Sequence, residues 1–297
     1  MVCPKCGAAA ELGSRFCEAC GASLAASAGG NGGPASAAAE RCEIDLAHDL
    51  AAVADRGLIH PRNEDAAALL RSTTVGGIQV SILVVCDGVS TSHDPALGAK
   101  TAAAAAADSL SAHLATSGDA ERAMRTAILE AHDAVCRLVP AGADVADRPL
   151  TTIVTALARA GSVTIGWAGD SRAYFLARGG RQLTRDDSWV NWVVERGEMD
   201  EVEAMRSANA HAIIQCLGDP DDTPEPHIVT AVPMPGERLL LCTDGLWNYA
   251  LEPADLAAVL SGFSEGTPAI ELCRALVEFA NSSGGHDNVT AAICDRL

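Results

Sequence analysis

Ile78-Gln79-Val80-Ser81-Ile82-Leu83-Val84-Val85-Cys86-Asp87-Gly88 is an apolar run that stops abruptly at an acid and a glycine. A run this short and this rich in β-branched residues reads as a buried strand. Asp87 then stands at its tip, aimed by a rigid backbone. The same grammar recurs along the chain. Leu239-Leu240-Leu241-Cys242-Thr243 runs into Asp244-Gly245, Gly166-Trp167-Ala168-Gly169 into Asp170-Ser171-Arg172, and Gly284-Gly285-His286 into Asp287-Asn288 just ahead of a final strand. Any one Asp-Gly is an ordinary turn. Several carboxylates at buried strand tips, converging, would make an oxygen-only site suited to Mg²⁺ or Mn²⁺.

Working outward, strands are expected at 48–56, 65–72 and 78–86, followed by two helices. The first, 95–116, opens on Asp94-Pro95; the second, 119–138, carries Ala123, Ala127, Ile128, Ala131 and Val135 on one face. Further strands are expected at 151–159, 162–168 and 172–177, short helices in an insertion at 187–207, and strands at 211–217, 226–232 and 238–243. Helices at 253–261 and 267–281 come next, the latter striped by Ile270, Cys273, Leu276, Val277 and Ala280, and a strand at 289–294 ends the chain. Strands and helix pairs fall in separate blocks, which implies antiparallel sheets with helices outside. The expected fold class is α+β: two packed sheets with a helix layer on each outer face.

The first twenty residues stand apart. Cys3-Pro4-Lys5-Cys6 and Cys17-Glu18-Ala19-Cys20 are two C-x2-C pairs ten residues apart, each followed by glycine. Two such knuckles close a tetrahedral four-thiolate zinc site with bonds of about 2.3 Å. Redox pairs or disulfides are the competing reading. Four cysteines saturate the metal, so the zinc is structural, and it supplies the folding free energy that so short a segment lacks. Residues 21–40 are mostly Ala, Gly and Ser, a flexible linker reaching roughly 25 Å. The expected division is therefore a ribbon at 1–20, a linker at 21–40 and one large domain at 41–297.

The 297 residues are 48% hydrophobic, enough to bury a sizeable core. Against 21 basic residues stand 39 acidic ones, a net charge of −18 that repels phosphate backbones and anionic lipid. Nucleic acid and membrane surfaces are thus disfavoured partners, and no apolar run approaches the roughly 18–20 residues that span a bilayer. The ribbon's charges cancel, Lys5 and Arg15 against Glu11 and Glu18, which argues against a nucleic-acid reader. There are 11 cysteines, and the seven beyond the ribbon are scattered singly through the chain, several in apolar segments, as reduced thiols. The expected compartment is the cytoplasm.

Arg56-Gly57-Leu58-Ile59-His60-Pro61-Arg62-Asn63-Glu64-Asp65 interleaves cations with acids. Cations beside a carboxylate metal site are what phosphate-ester chemistry needs: metals for some oxygens, a cation for the remaining phosphate charge.

Taken in order, Gly57 to Asp65, Val85-Cys86-Asp87-Gly88, Thr151-Thr152, Gly169-Asp170-Ser171-Arg172, Thr243-Asp244-Gly245-Leu246-Trp247 and Asp287-Asn288-Val289-Thr290 resemble the metal-dependent type 2C protein serine/threonine phosphatases, bacterial members in particular. The resemblance covers about 45–297 and implies an antiparallel β-sandwich flanked by helix pairs. It implies that Asp87 bridges two Mn²⁺ or Mg²⁺ ions, with the Gly88 carbonyl on one and Asp244 and Asp287 on the other. Asp170 matches the acid of a third, weaker ion, and Glu64 and Asp65 would act through metal-bound waters. The implied reaction is direct hydrolysis of phosphoserine or phosphothreonine on proteins by a metal-bridging hydroxide. Implied partners are phosphorylated proteins, serine/threonine kinases and their substrates among them, with the ribbon docking a protein partner or serving regulation.

Three positions depart from the family pattern. His60 stands where the family has its phosphate-gripping arginine, so either His60 or Arg62 takes that role. His93 lies in Val89-Ser90-Thr91-Ser92-His93-Asp94 as a loop residue. Asp186-Asp187-Ser188-Trp189 replaces an Asp-His-Ser start to the flap, where Trp189 and Trp192 are expected to pack rather than bind. The His60 departure motivates an alternative, a weak or inactive pseudophosphatase that binds phosphoproteins.

Overall fold

The structure, a computed structural model, describes residues 41–297 apart from 141–143, 145, 146, 178, 211 and 296. Cys3, Cys6, Cys17 and Cys20 of the expected ribbon, and the linker expected at 21–40, lie outside the described residues. In chain order come β1 (Arg41–Ala47), β2 (Leu50–Asp55), β3 (Ala66–Thr73), β4 (Gln79–Cys86), α1 (Pro95–Thr116), α2 (Ala120–Cys136), β5 (Ile153–Arg159), β6 (Ser162–Ala168), β7 (Arg172–Leu176) and β8 (Arg181–Gln182). Then follow α3 (Trp189–Glu195), α4 (Glu201–Ala204), β9 (His227–Ala231), β10 (Arg238–Cys242), α5 (Asp244–Trp247), α6 (Pro253–Leu260), α7 (Ala269–Ser283) and β11 (Val289–Cys294).

The strands form two sheets, β1-β2-β11-β10-β7-β8 and β3-β4-β5-β6-β9, antiparallel throughout. One apolar cluster lies between the sheets, from Leu83, Val85 and Ile165 on one side to Phe175, Leu239 and Leu241 on the other. The outer face of the five-stranded sheet is covered by α1 and α2, where Ala99, Ala102, Ala103 and Ala106 let α1 pack closely. Asp119 caps α2 by accepting from the Arg122 N–H at 3.0 Å. On the other sheet α6 and α7 bury Leu256, Ile270, Cys273, Leu276, Val277 and Ala280. The α-β-β-α layers read from the sequence are the observed fold. Among the described residues of the strand expected at 211–217 no ladder forms: Ile213 and Leu217 make isolated bridges, to Ser188 and Thr151.

Strand register gathers the acids at one end of the sandwich. Cys242 pairs with Arg172 on one side and Ala291 on the other, and Val289 pairs with Asp55. In the facing sheet Ala66 pairs with Cys86, and Ile153 with Ala168. The residues just past these pairs, Asp65, Asp87, Asp170, Asp244 and Asp287, therefore emerge together.

Candidate active site

Their charges act on one another. Burial, then the neighbouring Asp65, Asp244, Asp287 and Asp170, push the Asp87 carboxyl well above the ordinary aspartate range. Asp244 is pushed up the same way, by burial first and then by Asp287, Asp170 and Asp65. Asp65 is raised to about 7 by burial and by Asp287, against the lowering pull of the Thr290 and Thr243 hydroxyls. Asp170 is also raised to about 7, by burial and then by Asp186. Asp87 lies within hydrogen-bonding reach of both Asp65 and Asp244, a contact that two carboxylates tolerate only with a proton or a cation between them.

Asp65 is the most constrained of the five. Its Oδ2 accepts from the hydroxyls of Thr243 at 2.9 Å and Thr290 at 2.7 Å, one from each of two neighbouring strand ends. Its Oδ1 is sealed from solvent and meets no N–H or O–H donor; the group facing this acid is another acid, Asp87. An orphaned buried carboxylate oxygen beside like charges is a place for a hard cation. Among the described residues, no three His, Cys, Asp or Glu side chains close around one point as a finished cage. Mg²⁺ needs no such cage, since it keeps several waters and takes one or two carboxylates plus substrate oxygens. The all-oxygen donor set fits Mg²⁺ or Mn²⁺.

The expected phosphate hands separate. His60 is buried, 7% exposed, with its Nε2 3.2 Å from Asp287 Oδ1. The Arg62 side chain is half exposed; its Nε donates to Glu64 Oε1 at 2.7 Å. Glu64, itself buried, also accepts from the Ser90 hydroxyl at 2.8 Å. Gly88, after Asp87, makes a bridge to Thr151. His93 is exposed, and its backbone N–H donates to the Arg148 carbonyl at 3.1 Å. In the flap Trp189 packs on Val190, Val193 and Ala204 as expected, while Trp192 is 40% exposed under the Arg196 guanidinium.

Asn288 is a residue whose role sequence reasoning missed. Its Oδ1 accepts from the Glu64 N–H at 2.7 Å, and its Nδ2 donates to the carbonyls of Arg56 at 2.8 Å and Arg62 at 3.0 Å. One amide thus stitches the Gly57–Asp65 loop to the start of β11. The only signal was its place beside Asp287. Gly57 completes that seam: with φ at +73°, it sits where a Cβ would stand 2.1 Å from the Asp287 carbonyl.

Residues 61–292 match the family model described as Protein phosphatase 2C, and residues 2–24 that of a zinc-ribbon domain. The chain is 28% identical over 245 residues to the serine/threonine phosphatase stp of Listeria innocua, covering 82% of this chain and 93% of that one. It is 30% identical over 261 residues to the serine/threonine protein phosphatase PstP of Mycobacterium tuberculosis, covering 85% of this chain and 46% of that one. A crystal structure of a PstP catalytic domain in complex with two manganese ions superposes with a TM-score of 0.64 at 25% identity, covering 86% of this chain and 97% of that one.

Proposed function

The chain belongs to the protein phosphatase 2C family, and on that premise we infer that it is a protein serine/threonine phosphatase that hydrolyses phosphoserine and phosphothreonine with divalent cations at the strand-end acids. Asp87, the Gly88 carbonyl, Asp244 and Asp287 would hold two Mn²⁺ or Mg²⁺ ions, Asp170 a third, with Glu64 and Asp65 acting through water. When bound, such ions neutralise phosphate charge and acidify water. The observation that carries this reading is the gathering of Asp65, Asp87, Asp170 and Asp244 at one end of the sandwich, buried and repelling one another, which leaves the site short of positive charge.

The protein's own groups divide the rest of the work. Arg62, with half its side chain in solvent and its Nε on Glu64, presents its guanidinium to the substrate phosphate. His60, turned onto Asp287, holds that acid in place instead of gripping phosphate. Asn288 and the Thr243 and Thr290 hydroxyls fix the loop and the acid behind them. The binding-module alternative is not favoured, because every acid the family's chemistry calls for stands at the same end of the sandwich.

Phosphorylated proteins are the substrates on this reading, kinases among them, and the N-terminal ribbon, with a structural Zn²⁺ at Cys3, Cys6, Cys17 and Cys20, docks a protein partner. The seven cysteines among the described residues are free, which fits a reducing compartment, the cytoplasm. Among the described residues no helix is long and apolar enough to cross a membrane. The deciding assay is phosphate release from a phosphothreonine peptide with Mn²⁺, with Mg²⁺ and with chelator. Turnover that requires metal and disappears in a folded Asp244→Asn variant supports the reading; metal-independent turnover, or full turnover in that variant, contradicts it.

A further inference from the structure

Trp247 ends α5, three positions after Asp244, and is in none of the ligand sets above. Its indole Nε1 donates to the backbone carbonyl of Asp170 at 3.0 Å. Its ring lies against the Arg172 guanidinium, whose carbon is 3.6 Å from the ring centroid. Arg172 grips Asp186 with two bonds, Nε to Oδ1 at 2.9 Å and Nη2 to Oδ2 at 2.7 Å, and donates to the Tyr174 hydroxyl at 3.2 Å. Asp186 is where the flap leaves the core, and its carbonyl accepts from Asn191 Nδ2 of α3 at 2.8 Å. One indole therefore joins the helix that carries Asp244, the loop that carries Asp170 and, through Arg172, the root of the flap.

The backbone at Asp170 needs such an anchor. Gly169, immediately before it, sits at φ +113°, a conformation open only to glycine without strain. That hinge is held on its N–H by Asp187 Oδ2 at 2.9 Å, and the next carbonyl by the Trp247 indole. Arg172, although beside the acids, is committed to Asp186, Tyr174 and the ring face, so it is not a second phosphate hand. We propose that Trp247 is a positioning residue for Asp170: it fixes that acid's backbone and ties it to the flap root, so that divalent-cation binding at Asp170 depends on an indole that touches neither ion nor substrate. The inference rests on the reading of Asp170 as a cation-holding acid.

The test compares Trp247→Phe with Asp170→Asn in the full chain. Trp247→Phe keeps a ring over Arg172 and removes the N–H. Mn²⁺ binding is measured by calorimetry on metal-free protein, and p-nitrophenyl phosphate turnover is followed against Mn²⁺ concentration. The expected result is that Trp247→Phe weakens the lowest-affinity Mn²⁺ site by roughly three- to tenfold, the loss of one hydrogen bond. Its kcat recovers at saturating Mn²⁺ and its KM for the phosphate is unchanged. Asp170→Asn abolishes the same site. Unchanged Mn²⁺ constants in Trp247→Phe, with the site lost in Asp170→Asn, overturn the role of Trp247 and leave Asp170 as a cation acid. Unchanged constants in both overturn both. If Trp247→Phe does not fold, Trp247→Tyr carries the test, because it also keeps a ring over Arg172 and loses the indole N–H. A weakened Mn²⁺ site at constant KM supports the proposal there, and unaltered Mn²⁺ binding overturns it.

Discussion

His60, 7% exposed with its Nε2 3.2 Å from Asp287, and Arg62, with half its side chain in solvent, stand two residues apart and face different partners. Arg62→Ala should raise KM for a phosphopeptide roughly ten- to hundredfold, the worth of a charged hydrogen bond to phosphate, with little change in Mn²⁺ affinity. His60→Ala should do the reverse, weakening Mn²⁺ binding several-fold with KM unchanged at saturating metal. Paired peptide kinetics and Mn²⁺ titrations separate the two, and a KM effect confined to His60→Ala would exchange the roles. The sequence alone left this choice open. Which of the two side chains faces outward is set by how the loop is seated against Asn288, and no residue type in Arg56–Asp65 announces it. Asp65 was legible as an acid of the site, but its two threonine partners come from strands about 180 and 225 positions away, so their convergence exists only in the fold.

Elements announced themselves where burial was one-sided or complete. The acid-tipped run became β4 with seven of its eight residues buried, and the stripe at Ile270, Cys273, Leu276, Val277 and Ala280 became the buried face of α7. β1 escaped notice although Cys42, Ile44 and Leu46 alternate with Arg41, Glu43 and Asp45; it is an edge strand, largely exposed on both faces, held by its pairing with β2. The apolar Ile213, Ile214, Cys216 and Leu217 imitate a strand but find only single bridges. Asp244-Gly245 read as a turn, yet it opens the one-turn helix α5. There Gly245 presses on β11 so tightly that a Cβ would stand 1.9 Å from the Asn288 carbonyl. Gly245→Ala should therefore destabilise the protein by about 2–3 kcal/mol or more and disturb both Asp244 and Asn288. Denaturant unfolding checks this, and an unchanged midpoint would mean that α5 is free to shift.

At the scale of the whole molecule, the sandwich concentrates at one end carboxylates that repel each other. Asp65 and Asp170 are raised from the usual range to about 7 in the folded state. A carboxyl raised by folding contributes stability that is complete below about pH 4 and lost as pH rises through about 7, because the folded state binds the extra proton. Metal-free protein should accordingly lose stability across that window relative to Asp65→Asn, and Mn²⁺ should restore it by discharging the site. Thermal midpoints of both proteins from pH 4 to 7.5 show the effect, and parallel curves would remove it. The most direct test of the central claim, that these strand-end acids are a divalent-cation site, is calorimetric titration of metal-free protein with Mn²⁺ near pH 6.5 in two buffers of different ionisation heat. Two or more ions bound with release of protons, both lost in Asp87→Asn, is the predicted result. No Mn²⁺ bound, or the same uptake in Asp87→Asn, would contradict it.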